Sequence, residues 1–280
     1  MLSEQEQNVD NNSNAYQAAR DINITNDYIQ IKAIFNDLYK INFPELVNEA
    51  ANRAKENLCS YIDKFTSQLN GLDVVNVQEK LKEPNSQYIL NESIVNASRY
   101  GNKIDTNLLA MSIKESLLSD DDLLERIFEN ASLIIPKINR KQLLIILVNF
   151  YITVLGFPEN IAIPQVLDQM TANIFRGKED LPVLSEANLT HLVSLGVFTS
   201  NHLAGGSGQT FLKQRYPTKY DTVLFPAMQN GQMPVLKSVS DCFTNNKLVK
   251  YPIAPTGSAI GFLLAKDSIP ELDRNILKNL

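Results

Sequence analysis

The chain has 280 residues, 44% of them hydrophobic and 20% charged, and a formal net charge of −5. That is enough chain for one large or two modest apolar cores, with the composition of a soluble globular protein. Two cysteines exclude a disulfide framework and fit a reducing cytoplasm, and the absence of any strong basic surplus argues against a dedicated nucleic-acid binder.

The charge is uneven. From Leu181 onward there are nine Lys or Arg against six Asp or Glu, whereas residues 1–180 carry 17 basic and 25 acidic side chains. An acidic N-terminal part and a mildly basic C-terminal part suggest different partners for the two.

Residues 1–14 are rich in Asn, Gln and Ser, read as a flexible tail with no apolar core for a signal peptide. Residues 15–26 then alternate. Tyr16, Ala18, Ile22 and Ile24 share one side of a strand with Arg20, while Gln17, Asp21, Asn23 and Thr25 take the other. A solitary strand leaves its backbone groups unpaired unless it meets another edge. The expected partner is the same segment of a second copy, which makes Tyr16, Gln17, Ala18, Arg20, Asp21, Ile22 and Ile24 candidate oligomerisation residues.

A helical bundle is expected over 27–180. After a first helix at 28–39, the stripe Phe43, Leu46, Val47, Ala50, Ala54, Leu58, Tyr61, Ile62, Phe65 and Leu69 recurs at three- and four-residue steps. Pro44 suits its first turn, and Glu49 and Arg53 lie on its wet face. Further helices are expected near 73–81, 86–100, 106–118 and 120–135. Ser119 reads as an N-cap followed by Asp120, Asp121 and Asp122 at the positive end of the dipole, a plainer account than a metal cluster. The run Leu143–Leu155 has thirteen residues interrupted by Asn149 and Thr153. That is shorter than the roughly 20 needed to span a bilayer, so a helix buried on all sides is expected, then one more over 158–176.

Over 181–280 a small α+β module is expected. Ser185 opens a helix carrying Leu189, Leu192 and Leu195, ended by Gly196. About fifty residues rich in Gly, Pro, Thr and Asn follow, in which short strands such as Thr222–Phe225 are expected, since long structureless loops are uncommon. Leu248–Ala254 reads as another strand, Thr256-Gly257 as the start of a helix reaching Lys266, and Pro270 as the start of a terminal one. The Leu-Gly turn, the expected hairpin and the Thr-Gly turn resemble winged-helix domains. The helix Glu186–Leu195 has no Lys or Arg for groove readout, so Lys247 and Lys250 are the candidate nucleic-acid contacts, with a protein-contact or packing role favoured.

No motif supplies catalytic chemistry. Gly205-Gly206-Ser207-Gly208 lacks the Gly-Lys-Ser/Thr of a phosphate loop, and His191, His202, Cys59 and Cys242 lack zinc-site spacing. Cys242, taken as a loop residue, is the one candidate nucleophile. No catalytic residue, metal site or cofactor is assigned.

The chain resembles an uncharacterised bacterial family that opens with N-x-S-x-x-x-Q-A-x-R-D-I-x-I, here Asn11, Ser13, Gln17, Ala18, Arg20, Asp21, Ile22 and Ile24. Asn42-Phe43-Pro44, with Leu46 and Ala50, then Ile134–Ile138 and Lys141-Gln142-Leu143, carry the resemblance onward. The Thr256-Gly257-x-Ala259-Ile260 turn also resembles α-helical abortive-infection-like proteins. Ala19 stands where the family pattern has glycine. The resemblance implies no known reaction, but a cytoplasmic protein linked to phage defence.

The expectation is therefore a mainly α protein: a bundle behind a short N-terminal strand and ahead of a winged-helix-like α+β module. Its expected function is non-enzymatic, a scaffold or sensor whose partner is itself or another protein of the same system, with no membrane contact. The alternatives are a winged-helix nucleic-acid-binding regulator and a toxin-like effector.

Overall fold

The computed structural model describes residues 48–70, 74–176 and 180–279, together with Ala33, Asn36, Asp37, Tyr39, Lys40 and Leu72. The flexible tail and the strand expected over 15–26, with its seven candidate oligomerisation residues, lie outside that range.

From Asn48 onward the long apolar stripe forms α1 (Asn48–Leu69), burying Leu58, Tyr61, Ile62, Phe65 and Leu69, while Phe43, Pro44, Leu46 and Val47 lie outside the described residues. After α2 (Val74–Leu81), two helices cover the stripe: α3 (Pro84–Tyr100) and α4 (Thr106–Leu117). Proline opens α3, where its missing N–H costs nothing. Next, α5 (Asp122–Ile134) packs on α4. Its N-cap is Asp121, whose carboxylate accepts from Leu123 N (3.0 Å) and Leu124 N (3.1 Å). Ser119, expected in that role, instead donates its hydroxyl to Asp121 O. The acidic run is thus a helix start, with the cap two residues later than expected.

All but the last two residues of the thirteen-residue apolar run lie in α6 (Arg140–Thr153), opened by a reciprocal cap between Asn139 and Gln142. Ten of its residues are buried, and each large aliphatic side chain removed from water is worth about 1.5–3 kcal/mol. The polar interruption is satisfied: Asn149 Nδ2 donates to Tyr251 O at 2.8 Å. Arg215 closes the other end, its Nη1 donating to Tyr151 O (3.0 Å) and Leu155 O (2.8 Å). After α7 (Pro164–Ile174) and α8 (Glu186–Ser194), the chain enters the segment expected to hold a wing.

It holds helices instead. They are α9 (Gly208–Arg215), a π turn at Tyr220–Leu224 running into α10 (Phe225–Gln229), and α11 (Pro234–Asn245). The expected strand at Thr222–Phe225 is this π turn, and the strand at Leu248–Ala254 is a 3₁₀ turn followed by an isolated bridge between Phe198 and Ile253. The winged-helix-like α+β module is therefore corrected to a helical segment, with no hairpin among its described residues. Pro226, Pro234 and Pro255 sit in first turns, as helix starters. Serine and aspartate do the same work: Ser207 caps α9, and Asp168 of α7 accepts from Leu236 N, closing the start of α11 at 2.8 Å.

The chain then forms α12 (Pro255–Lys266), which packs on α6, α5 and α4. Its glycines permit that contact: a methyl at Gly261 would overlap Phe150, and one at Gly257 would overlap Val197 O. The terminal segment from Pro270 is a 3₁₀ helix at Arg274–Asn279. Buried side chains on both sides of residue 180 belong to one apolar cluster. Among the described residues no helix is long and apolar enough to cross a membrane.

Candidate anion-binding groove

The connection between α3 and α4 is built to a tight specification. Gly101 takes φ 52°, a left-handed conformation, and its N–H bonds to Ala97 O. A methyl there would also overlap the side chain of Asn57, which donates from Nδ2 to Ser98 O at 3.0 Å. Only glycine meets both conditions. A 3₁₀ turn over Gly101–Lys103 follows, anchored by buried Ile104, and Asp105 caps α4 by accepting from Leu108 N at 2.9 Å. Arg99, Tyr100, Asn102 and Lys103 are left exposed around this turn.

Facing them, α1 presents Arg53, Asn57, Ser60 and Lys64 at three- and four-residue spacing, one face of the helix. Lys64 Nζ donates to Thr106 Oγ1 at 2.7 Å, and Gln68 Nε2 donates to Asn107 Oδ1 at 3.1 Å, fixing α1 against the start of α4. Between the two lies a cleft of about 480 Å³. A second cleft, of about 340 Å³, continues toward α6 and α12 past Arg140. Lys64, Asn102, Lys103 and Thr106 line both.

Five cationic side chains therefore line one groove: Arg53, Lys64, Arg99, Lys103 and Arg140. Among the described residues none of the five lies in a salt bridge, although eight other bridges form. The single lining carboxylate, Asp105, is engaged as a helix cap. Arg99 lies over the ring of Tyr100, 5.7 Å from its centroid, which orients the guanidinium. Cations concentrated along low-dielectric walls raise the local potential and attract anions. The uncharged polar lining groups Asn57, Ser60, Asn102 and Thr106 supply amides and hydroxyls suited to phosphate oxygens.

A family model whose description reads ":-like" matches residues 26–254. The chain belongs to that family. All five groove cations fall within the matched residues, whereas the N-terminal Asn11–Ile24 motif precedes them. Family membership agrees with the resemblance to an uncharacterised family. No curated protein matches the chain, and no solved structure does.

The residues singled out in the sequence lie elsewhere. Lys247 is exposed, with φ 53°, at the end of α11, and Lys250 is half-buried in the turn that follows; neither lines the groove. Cys242 lies within α11, not in a loop. It is buried, with Sγ 3.6 Å from Pro182 O, and burial pushes its thiol up to about 12. A thiol so placed is a poor nucleophile at neutral pH. Exposed His191 accepts at Nδ1 from Gln142 Nε2 at 3.1 Å, and Cys59 lies partly buried within α1. Among the described residues no three His, Cys, Asp or Glu side chains group to hold a metal. Gly208 opens α9 against the Ser240 backbone, which accounts for one of the loop glycines.

Proposed function

We propose that this protein is a non-enzymatic sensor whose groove binds a phosphate-bearing anion, and that it acts as a self-assembling component of a bacterial anti-phage system. The observation that carries the binding site is the set of five cations without carboxylate partners lining two joined clefts. Exposed cations are ordinarily solvated or paired with nearby acids. Here acids outnumber bases along the chain, yet the groove is lined by five cations and one carboxylate, Asp105, which is engaged as a helix cap. The assembly part rests on the alternating pattern of residues 15–26, and the defence link on the resemblance alone.

Titration calorimetry with inorganic pyrophosphate at low salt tests the site. The expected result is saturable binding that weakens at least tenfold in the double variant Lys64→Glu/Lys103→Glu, with the helical circular dichroism unchanged. Loss of heat on raising salt is expected as well. Absence of binding, or binding indifferent to both substitutions, would overturn the assignment.

Deleting residues 1–26 tests the assembly. The intact protein is expected to scatter light as an oligomer and the shortened one as a smaller species. An unchanged mass argues against pairing through that segment. A nucleic-acid regulator remains the second reading, now favoured at the groove over Lys247 and Lys250, because the groove concentrates the cations. In that case affinity for single-stranded DNA falls log-linearly with salt, with a slope near the number of phosphates neutralised.

A further inference from the structure

The two clefts differ in character. The one between α1 and the Gly101 turn is walled by polar and cationic groups. The one reaching α6 and α12 has an apolar wall of Ile138, Leu143, Leu144 and Leu264, with Lys64, Lys103 and Arg140 also on its lining. Three of these four apolar side chains are otherwise buried in the core, and Leu144 is half exposed. A bare inorganic anion gains nothing from such a wall, because apolar surface recognises only apolar surface removed from water. Tyr100, 40% exposed beside Arg99 on the polar side, adds an aromatic face at the rim.

We infer that the ligand is an amphipathic phosphate ester, its phosphates among Lys64, Lys103 and the neighbouring arginines and its apolar or aromatic body against the Ile138–Leu143–Leu144–Leu264 wall. This rests on the anion-binding reading above and deepens it. The continuity of the two clefts through Lys64, Asn102, Lys103 and Thr106 lets a single molecule occupy both. Their volumes, about 340 and 480 Å³, lie in the range of pockets that enclose nucleotide-sized ligands. A nucleotide and an alkyl diphosphate share this chemistry, so both serve as probes.

The test is calorimetric titration of the full chain with three probes: inorganic pyrophosphate, ADP and hexyl diphosphate. At least one organic probe is expected to bind ten times more tightly than pyrophosphate; ADP leading marks an aromatic body, and hexyl diphosphate an aliphatic one. In the variant Leu144→Gln that advantage is expected to shrink severalfold while pyrophosphate affinity holds, and Leu144→Met is expected to retain it. Equal affinity for all three probes would overturn the amphipathic ligand and leave the anion site standing. Binding by none of the three would remove both.

Discussion

At Gly101 two independent constraints fall on one atom that is not there. The left-handed φ disfavours any side chain, and Asn57 occupies the space a β-carbon would take. Gly101→Ala is therefore expected to destabilise the protein by about 1–3 kcal/mol, the cost of backbone strain at such a position. It should also displace Asn102 and Lys103 and weaken pyrophosphate binding, whereas a purely structural role would leave the affinity of the folded fraction unchanged. Chemical denaturation and calorimetry on the same sample separate the two effects. The groove was hidden in the sequence at this scale. Its cations come from positions 53, 64, 99, 103 and 140, distributed through the acidic part of the chain, so half-chain charge sums pointed away from it. The nearest visible signal was the run Arg99-Tyr100-Gly101-Asn102-Lys103, with an aromatic between basic residues at a helix end, together with the polar 53/57/60/64 face of α1. By sequence alone Arg53 is one more charge on the wet face of its helix.

Among the elements, the contact of α3 with α5 carries a titratable burden. Glu129 of α5 is only 8% exposed and accepts from Asn85 Nδ2 at the start of α3. Burial holds its carboxyl above the ordinary value of 4.5, the Asn85 bond opposing the shift and nearby Glu125 and Glu83 adding to it against Arg126. A carboxyl raised in the folded state binds more protons there than in the unfolded chain. Stability therefore falls as pH rises from about 4.5 through the raised value. Glu129→Gln keeps an acceptor for Asn85 and removes the charge. Its melting temperature is expected to exceed that of the native protein at pH 8 and to vary less between pH 4.5 and 8. A variant that melts lower at pH 8 would show the ionised carboxylate to be favourable. The helices before residue 180 were legible because their apolar positions repeat at helical spacing and their caps, such as Asn139, announce themselves. The helices between 208 and 245 were not. Proline and glycine there open helices, and the period in α11, at Leu236, Val239, Cys242 and Phe243, spans barely three turns.

For the whole molecule, a helical body with one apolar cluster presents a basic groove where α1, α3, α4, α6 and α12 meet. The mainly helical character is readable from periodicity, the helical nature of the segment after residue 208 is not, and a groove assembled from distant segments exists only after packing. The most direct test of the central claim is the perturbation of backbone amide resonances in an isotope-labelled sample titrated with pyrophosphate. Shifts are expected to concentrate at residues 99–106, with neighbours on α1 near Lys64 and at the start of α6 near Arg140. Shifts confined to the region of Lys247 and Lys250, or none at saturating pyrophosphate, would contradict it.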